Sequence, residues 1–154
     1  MRPVYTLSCG EIIMRNMTAV LVLLLGLTGS VIALSQPLDV SGAYVREPIP
    51  GRYMSAAFMT LTNTSATDKT LISVSADWAG IIEIHTHLHD NGVMRMRQLE
   101  SLTIPTGETG SLQPGGLHLM LFKLQLPLTE PLPLTLCFDD GECQTASAEL
   151  RSLK

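Results

Sequence analysis

The chain has 154 residues, a formal net charge of −4 and 45% hydrophobic residues. This length suits one domain and is short for two. An acidic balance without a basic stripe argues against a nucleic-acid-binding protein, and there is no polybasic cluster that would bind anionic lipids.

The N-terminal region has the layout of an export signal. Residues 18–35 form a nearly uninterrupted apolar run that follows Arg15 and ends in small residues, as in a secretory signal peptide. We predict a signal peptide over residues 1–35, with Met14 or Met17 as alternative true starts. An uncleaved anchor is the competing interpretation, because a run of 18 residues is at the short edge of what crosses a bilayer; only this segment would then contact the membrane. No cysteine lies at the end of this apolar run, so the sequence does not support a lipid anchor.

The remaining residues, 36–154, show a hydrophobic period of two, which is the period of β-strands. Seven runs have this strand-like character, and turn signals rich in Gly, Pro, Asn and Asp separate them: residues 57–61, 72–76, 84–88, 93–97, 117–124, 132–138 and 143–149. No window of this region has a convincing helical stripe. Short alternating runs with frequent turns predict one all-β domain, an antiparallel β-sandwich or small barrel.

Histidine and methionine cluster in the middle of this domain. All four histidines lie between positions 85 and 118, and three methionines lie in or just beyond that window. Within it, Asn91-Gly92 is the preferred dipeptide for a two-residue type I′ hairpin turn. The resulting register pairs His87 with Met96 and sets His85 diagonal to Met96, whereas a three-residue loop would move Met96 to the opposite face. One face of the hairpin then carries five side chains with metal-binding atoms: His85, His87, His89, Met94 and Met96.

A second pair of such side chains opens a later strand. His118 and Met120 are two residues apart, so in a strand they point to the same face, while the leucines that alternate with them face the core. The Pro114-Gly115-Gly116 turn precedes them and places them at an open end of the sheet. An imidazole and a thioether at this spacing can converge on one ion.

The two cysteines of the domain, Cys137 and Cys143, flank another hairpin signal. The segment between them predicts a three-residue loop, a type I turn closed by Gly141 in the left-handed region. That register sets Cys137 opposite Cys143 with Cα atoms about 4.5 Å apart, a separation that a disulfide tolerates. We predict this bridge, which an oxidising compartment permits; two reduced surface cysteines are the alternative.

Ligand softness indicates the metal. Neutral thioethers are poor ligands for hard cations, and together with imidazole they suit copper, above all Cu(I). A methionine on a strand is more often core filler, and a lone histidine is usually just solvated, but the four together favour a site of His85, Met96, His118 and Met120. A set without negative charge also suits a carrier that releases its cargo. The roles of His87, His89 and Met94 are left open: they could bind Cu(II) or support the other ligands.

The same four residues carry a resemblance. Ten residues separate His85 from Met96, twenty-one separate Met96 from His118, and one separates His118 from Met120. This pattern resembles the signature of the PCuAC family of periplasmic copper chaperones, over roughly residues 51–149. The resemblance implies a cupredoxin-like, Greek-key β-sandwich in the periplasm. It also implies delivery of Cu(I) to a copper centre of respiratory cytochrome oxidase or to another copper chaperone.

Three other functions compete with this interpretation. A cupin-like enzyme is disfavoured, because the expected glutamate after His85-x-His87 is missing and Phe122 stands where asparagine is expected; no nucleophile with a base is found either. We therefore predict that the protein is not an enzyme. A blue-copper electron carrier needs a cysteine thiolate beside the other ligands, and neither cysteine is near them in sequence. Copper storage or tolerance through the same site remains open, as do the donor, the acceptor and the oligomeric state.

Overall fold

The computed structural model describes residues 38–90 and 92–152, so the predicted signal peptide lies outside the described residues. The described part forms ten strands: β1 (Asp39–Arg46), β2 (Met54–Thr62), β3 (Lys69–Ser75), β4 (Ala79–Asp90), β5 (Val93–Leu99), β6 (Leu102–Ile104), β7 (Thr109–Leu112), β8 (His118–Leu124), β9 (Leu132–Phe138) and β10 (Cys143–Arg151). They follow the order β5-β4-β8-β2-β1-β10-β9-β3-β6, with β7 pairing to β2. No helix in the described residues is long and apolar enough to span a bilayer. The predicted all-β class is confirmed.

All seven predicted runs fall on observed strands, whereas β1, β6 and β7 were not predicted. β6 and β7 have only three and four residues, too few for an alternating pattern to be recognised. In β1, the pairing with β2 shifts register between Ser41 and Tyr44, and Gly42 lies in the left-handed region. β1 also pairs in parallel with β10, so the sheet is not wholly antiparallel as predicted.

The core is built from alternate residues of both halves of the sheet. Side chains from β1, β2 and β8 meet side chains from β3 and β9, and eight of them are 0% exposed: Val45, Ala57, Leu61, Leu71, Leu119, Leu121, Leu134 and Leu136. Burial of these aliphatic groups is the main favourable contribution to folding. Strand residues alternate between the two faces of a sheet. On β2 and β8, the residues that alternate with Ala57 and Leu119 are therefore directed away from this core.

The β4–β5 hairpin forms one edge of the sheet. β5 is exposed along all but its last residue, and Leu88 on β4 is exposed as well. Arg95 and Arg97 pair with Leu88 and Thr86 in this part of the hairpin. The two arginines therefore share a face with apolar residues of β4 without being buried, because the outer part of the hairpin lies beyond the core.

The second predicted hairpin joins β9 to β10. Cys137 pairs with Cys143 and the two form a disulfide, with Cα atoms 4.1 Å apart. Phe138 N–H donates to the Glu142 carbonyl at 2.9 Å, and Gly141 has a φ of +84°. The predicted loop and bridge are confirmed. The buried Lys69 of β3 adds a further tie, since its ammonium group donates to the carboxylates of Asp140 and Glu142.

Candidate metal site

The predicted hairpin register is confirmed. Asp90 pairs with Val93, His87 with Met96, and His85 with Gln98 across β4 and β5. Gly92 in the turn has a φ of +80°, as a type I′ turn requires of its second residue. Met96 is therefore directly opposite His87 and diagonal to His85, on the same face as both histidines.

Strand β8 brings the second half of the site against β4 from the other side. His85 pairs directly with His118, and Glu83 pairs with Met120. His118 is the first residue of β8, two positions after Gly116 of the preceding turn, and its side chain lies on the face opposite to Leu119, which is in the core. Strand β4 thus lies between β5, which carries Met96, and β8, which carries His118. The side chains of His85, Met96 and His118 share one outward face.

A cavity of about 240 Å³ lies on this face. Its walls include three of the four predicted ligands together with one histidine that the sequence left open: Met96, His118, Met120 and His87. Arg46, Ala56, Phe58, Pro114 and Gly115 complete the lining. His85 does not line the cavity, although its ring centroid is 5.9 Å from that of His118.

His118 is held in one orientation beneath the cavity. It is only 3% exposed, and its Nδ1 lies 2.9 Å from the Gly116 carbonyl oxygen. Since a carbonyl only accepts, Nδ1–H donates and Nε2 keeps its lone pair, which is the tautomer a metal ligand needs. Burial, and more weakly the neighbouring His87 and His85, lower the pKa of His118 against an opposing effect of the Gly116 carbonyl. The ring is therefore neutral and able to bind a metal at neutral pH.

His85 is oriented by a carboxylate that sequence reasoning missed. Its Nε2 lies 2.8 Å from Oε2 of Glu83, two residues earlier on the same strand and face. Nε2–H donates to Glu83, so the lone pair of His85 is on Nδ1. That atom is buried and has no hydrogen-bond partner among the described residues. The sequence signal for Glu83 was its position two residues before His85, which places both side chains on one face.

His87 lies nearest to His118. The two rings stack with centroids 5.0 Å apart and planes inclined by 26°. Nδ1 of His87 is also buried without a hydrogen-bond partner in the described part of the chain. Met94 is 54% exposed and does not line the cavity, and the side chain of His89 lies outside what the structure describes.

The donor atoms on this face fit a soft, singly charged cation. Buried nitrogen atoms without partners are costly, and a metal ion would satisfy the Nδ1 atoms of His85 and His87. The thioethers of Met96 and Met120 add polarizable sulfur. No group of three His, Cys, Asp or Glu side chains in the described residues is arranged to hold an ion.

Comparison with known proteins identifies the family. The family described as "Putative lipoprotein LpqE-like" matches residues 38–150. A putative lipoprotein of Leifsonia xyli subsp. xyli is 31% identical over 147 residues, which is 87% of each chain. The match therefore includes nearly all the described residues and every residue of the candidate site.

Solved structures with the same fold are copper-binding domains. A Cu(I)-bound protein of Deinococcus radiodurans superimposes with a TM-score of 0.62 at 34% identity, over 77% of this chain and 81% of that one. The copper-bound PCuAC domain of PmoF2 gives a TM-score of 0.63 at 16% identity, over 79% of this chain and 97% of that one, a likeness of fold. The cupredoxin-like fold expected from the sequence is thereby confirmed. The chain belongs to the LpqE-like family and is a PCuAC-type protein.

Proposed function

We propose that this protein binds one Cu(I) through His85, Met96, His118 and Met120 and passes it to another protein. The observation that supports this most strongly is the buried His118, whose Nε2 lone pair is directed by Gly116 and which lines one cavity with both thioethers. The copper named in the descriptions of the similar structures supports the choice of metal.

The exposure of the site supports transfer rather than permanent storage. Met96 is 57% exposed on an edge strand, while His118 is 3% exposed. An acceptor thiolate can therefore approach from the Met96 side and bind Cu(I) as the Met96 thioether leaves. The other ligands then dissociate in turn. The copper stays Cu(I) throughout, and the stronger thiolate ligands of the acceptor give the transfer its direction.

The acceptor in this proposal is a copper centre of a respiratory oxidase or another copper chaperone, reached in the periplasm. Export is supported by the predicted signal peptide and by the description of the relatives as putative lipoproteins. Transfer by ligand exchange needs no catalytic group, so we do not propose an enzyme. Storage of copper by the same site is the second candidate, because the same ligands would serve it.

The test compares Met96→Ala with Met94→Ala as its matched control. The two methionines are on the same strand and face and are similarly exposed, but only Met96 lines the cavity. We expect Met96→Ala to weaken Cu(I) binding by at least about tenfold in a competition titration with a Cu(I) chelator, and Met94→Ala to leave it within about twofold. Equal effects of the two substitutions would contradict the proposed site.

A second experiment separates delivery from storage. The double variant His118→Ala/Met120→Ala should prevent both copper binding and maturation of a copper-dependent oxidase in cells grown with limiting copper. If cells lacking the protein assembled the oxidase normally under copper limitation while losing copper tolerance, storage would replace delivery.

A further inference from the structure

We infer that the copper acceptor is an acidic protein and that it docks in a groove beside the candidate metal site. This docking groove has a volume of about 610 Å³. Its lining combines apolar side chains with two cations: Tyr53, Met54, Ile81 and Phe122, with Arg52 and Lys123. The inference rests on the proposed function, because it states which kind of acceptor receives the Cu(I) and where that acceptor binds.

The docking groove lies on the same outward face as the candidate ligands. Phe122 of β8 pairs with Met54 of β2 and with Ile81 of β4, so these three side chains form one row across the sheet. Two positions along β8, about 6.6 Å away, the next row contains Met120. The ring centroids of Phe122 and His85 are 6.4 Å apart. The groove is therefore continuous with the candidate metal site.

The docking groove exposes apolar surface. Tyr53 is 65% exposed, and Met54 and Ile81 are exposed as well. Isolated exposed apolar residues are ordinary, but contiguous ones rimmed by polar groups are typical of interaction sites. A concave groove accommodates a protruding side chain of a protein, whereas a lipid surface is flat. The shape of the groove therefore favours a protein as its occupant.

The position of one cation is fixed by the backbone. Lys123 has a φ of +54°, in the left-handed region that residues other than glycine rarely adopt. Its side chain packs over Gly80 of β4, since a Cβ at Gly80 would lie 2.9 Å from Cβ of Lys123. Such backbone conformations cost free energy and concentrate at functional sites. This conformation holds a positive charge at the groove, next to Phe122.

Charge indicates the kind of partner. The chain has a formal net charge of −4, yet Arg52 and Lys123 line the groove and Arg46 lines the adjacent metal cavity. None of these three cations forms an ion pair with a described carboxylate. Glu83, which also lines the groove, accepts a hydrogen bond from His85. Because interfaces are complementary in charge, the matching surface presents acidic residues around an apolar side chain.

An acceptor in the docking groove can also cover the exposed ligand Met96. Ile81 and His87 are six positions apart on β4, which corresponds to about 20 Å, and Met96 pairs with His87. A standard interface covers about 800 Å² of each partner and is thus roughly 30 Å across. Docking and ligand exchange can therefore use different parts of one face.

The test is an NMR titration of the isotope-labelled exported protein with two synthetic peptides, Asp-Asp-Trp-Asp-Asp and Lys-Lys-Trp-Lys-Lys. We expect only the acidic peptide to shift the amide signals of the docking groove, and added salt to weaken its binding. Arg52→Gln/Lys123→Gln should bind it about threefold more weakly or less tightly still. The control Thr145→Glu/Ser147→Glu changes the net charge equally on β10, away from the groove, and should bind within about twofold of the unsubstituted protein.

A second variant tests the apolar part of the groove. Ile81→Ser should also weaken binding of the acidic peptide by about threefold or more, because exposed apolar surface no longer contacts the tryptophan. If the double variant does not fold, as judged by circular dichroism, Arg52→Gln alone provides the charge comparison.

Several outcomes would overturn the inference. Equal binding of the two peptides, unchanged binding by the double variant, or an equal loss in the control would refute a specific acidic partner. Sedimentation with phosphatidylglycerol vesicles that depends on Arg52 and Lys123 would assign the groove to a membrane, and self-association that depends on them would assign it to a second copy. Failure of the proposed function is distinguishable, because it would abolish Cu(I) binding in the unsubstituted protein, which a chelator competition measures separately.

Discussion

Removal of the disulfide should lower stability without affecting copper binding. The bond joins Cys137 to Cys143, six positions apart, and so closes a very short loop. The chain-entropy model gives about 2.4 kcal/mol for a closed loop of roughly seven residues. For a domain of this size, that corresponds to a decrease in melting temperature of about 7–14 °C. This is an upper estimate, because the β9–β10 pairing and the ion pairs of Lys69 hold the same hairpin.

The assay is thermal unfolding followed by circular dichroism on the oxidised protein and on Cys137→Ser/Cys143→Ser. Reductant should lower the melting temperature of the unsubstituted protein toward that of the double variant and leave the variant unchanged. Cu(I) affinity should be equal in both, because the bridge lies on β9 and β10 and the candidate ligands lie on β4, β5 and β8. A variant as stable as the oxidised protein would refute the loop-entropy reasoning, and loss of copper binding would refute the independence of the two regions.

Three further predictions follow from single contacts. Glu83→Ala should lower Cu(I) affinity about 10–100-fold in a chelator competition because His85 loses the group that orients it, and Glu83→Gln, which keeps an acceptor, should lower it less. Lys69→Met should lower the denaturant midpoint of unfolding at neutral pH. In the unsubstituted protein, the hydrogen bond from Lys69 to Asp140 raises the pKa of Lys69 and lowers that of Asp140. The difference should begin to decrease as the pH falls below about 4, the pKa of an unfolded aspartate, and should vanish only below the lowered pKa of Asp140 in the folded protein. It should also decrease as the pH rises above about 10, the pKa of an unfolded lysine, and through the raised pKa of Lys69. A difference that did not decrease on acidification below about pH 4 would contradict this. Leu121→Ala should cost about 2–5 kcal/mol in chemical unfolding, since Leu121 is 0% exposed, and a cost below 1 kcal/mol would contradict its place in the core.

The parts of the fold that could be predicted are those where a local signal determines the geometry. Asn91-Gly92 fixed the register of the β4–β5 hairpin, and Gly141 fixed that of the β9–β10 hairpin, because each turn tolerates few residue types. The short strands β6 and β7 could not be found, since they pair with β3 and β2 through contacts distant in sequence. The parallel pairing of β1 with β10 is likewise set by tertiary packing.

The sequence predicted which residues of the candidate site share one face of the sheet, but not how their side chains pack against each other. The period of two placed His85, His87 and Met96 together, and His118 with Met120. Residue spacing did not show which histidine lies closest to His118: His85 is its direct partner, yet the ring of His87 is closer, at 5.0 Å, and His85 is outside the cavity lining. The side-chain hydrogen bond from His85 to Glu83 also depends on rotamers, which residue spacing does not specify.

The central claim, a mixed sulfur and nitrogen site for Cu(I), is tested most directly by X-ray absorption at the copper edge. The reduced, copper-loaded protein should show sulfur scatterers together with nitrogen scatterers in the shell around copper. The Met96→Ala/Met120→Ala variant should lose the sulfur contribution. A shell of nitrogen and oxygen alone in the unsubstituted Cu(I) protein would contradict the account.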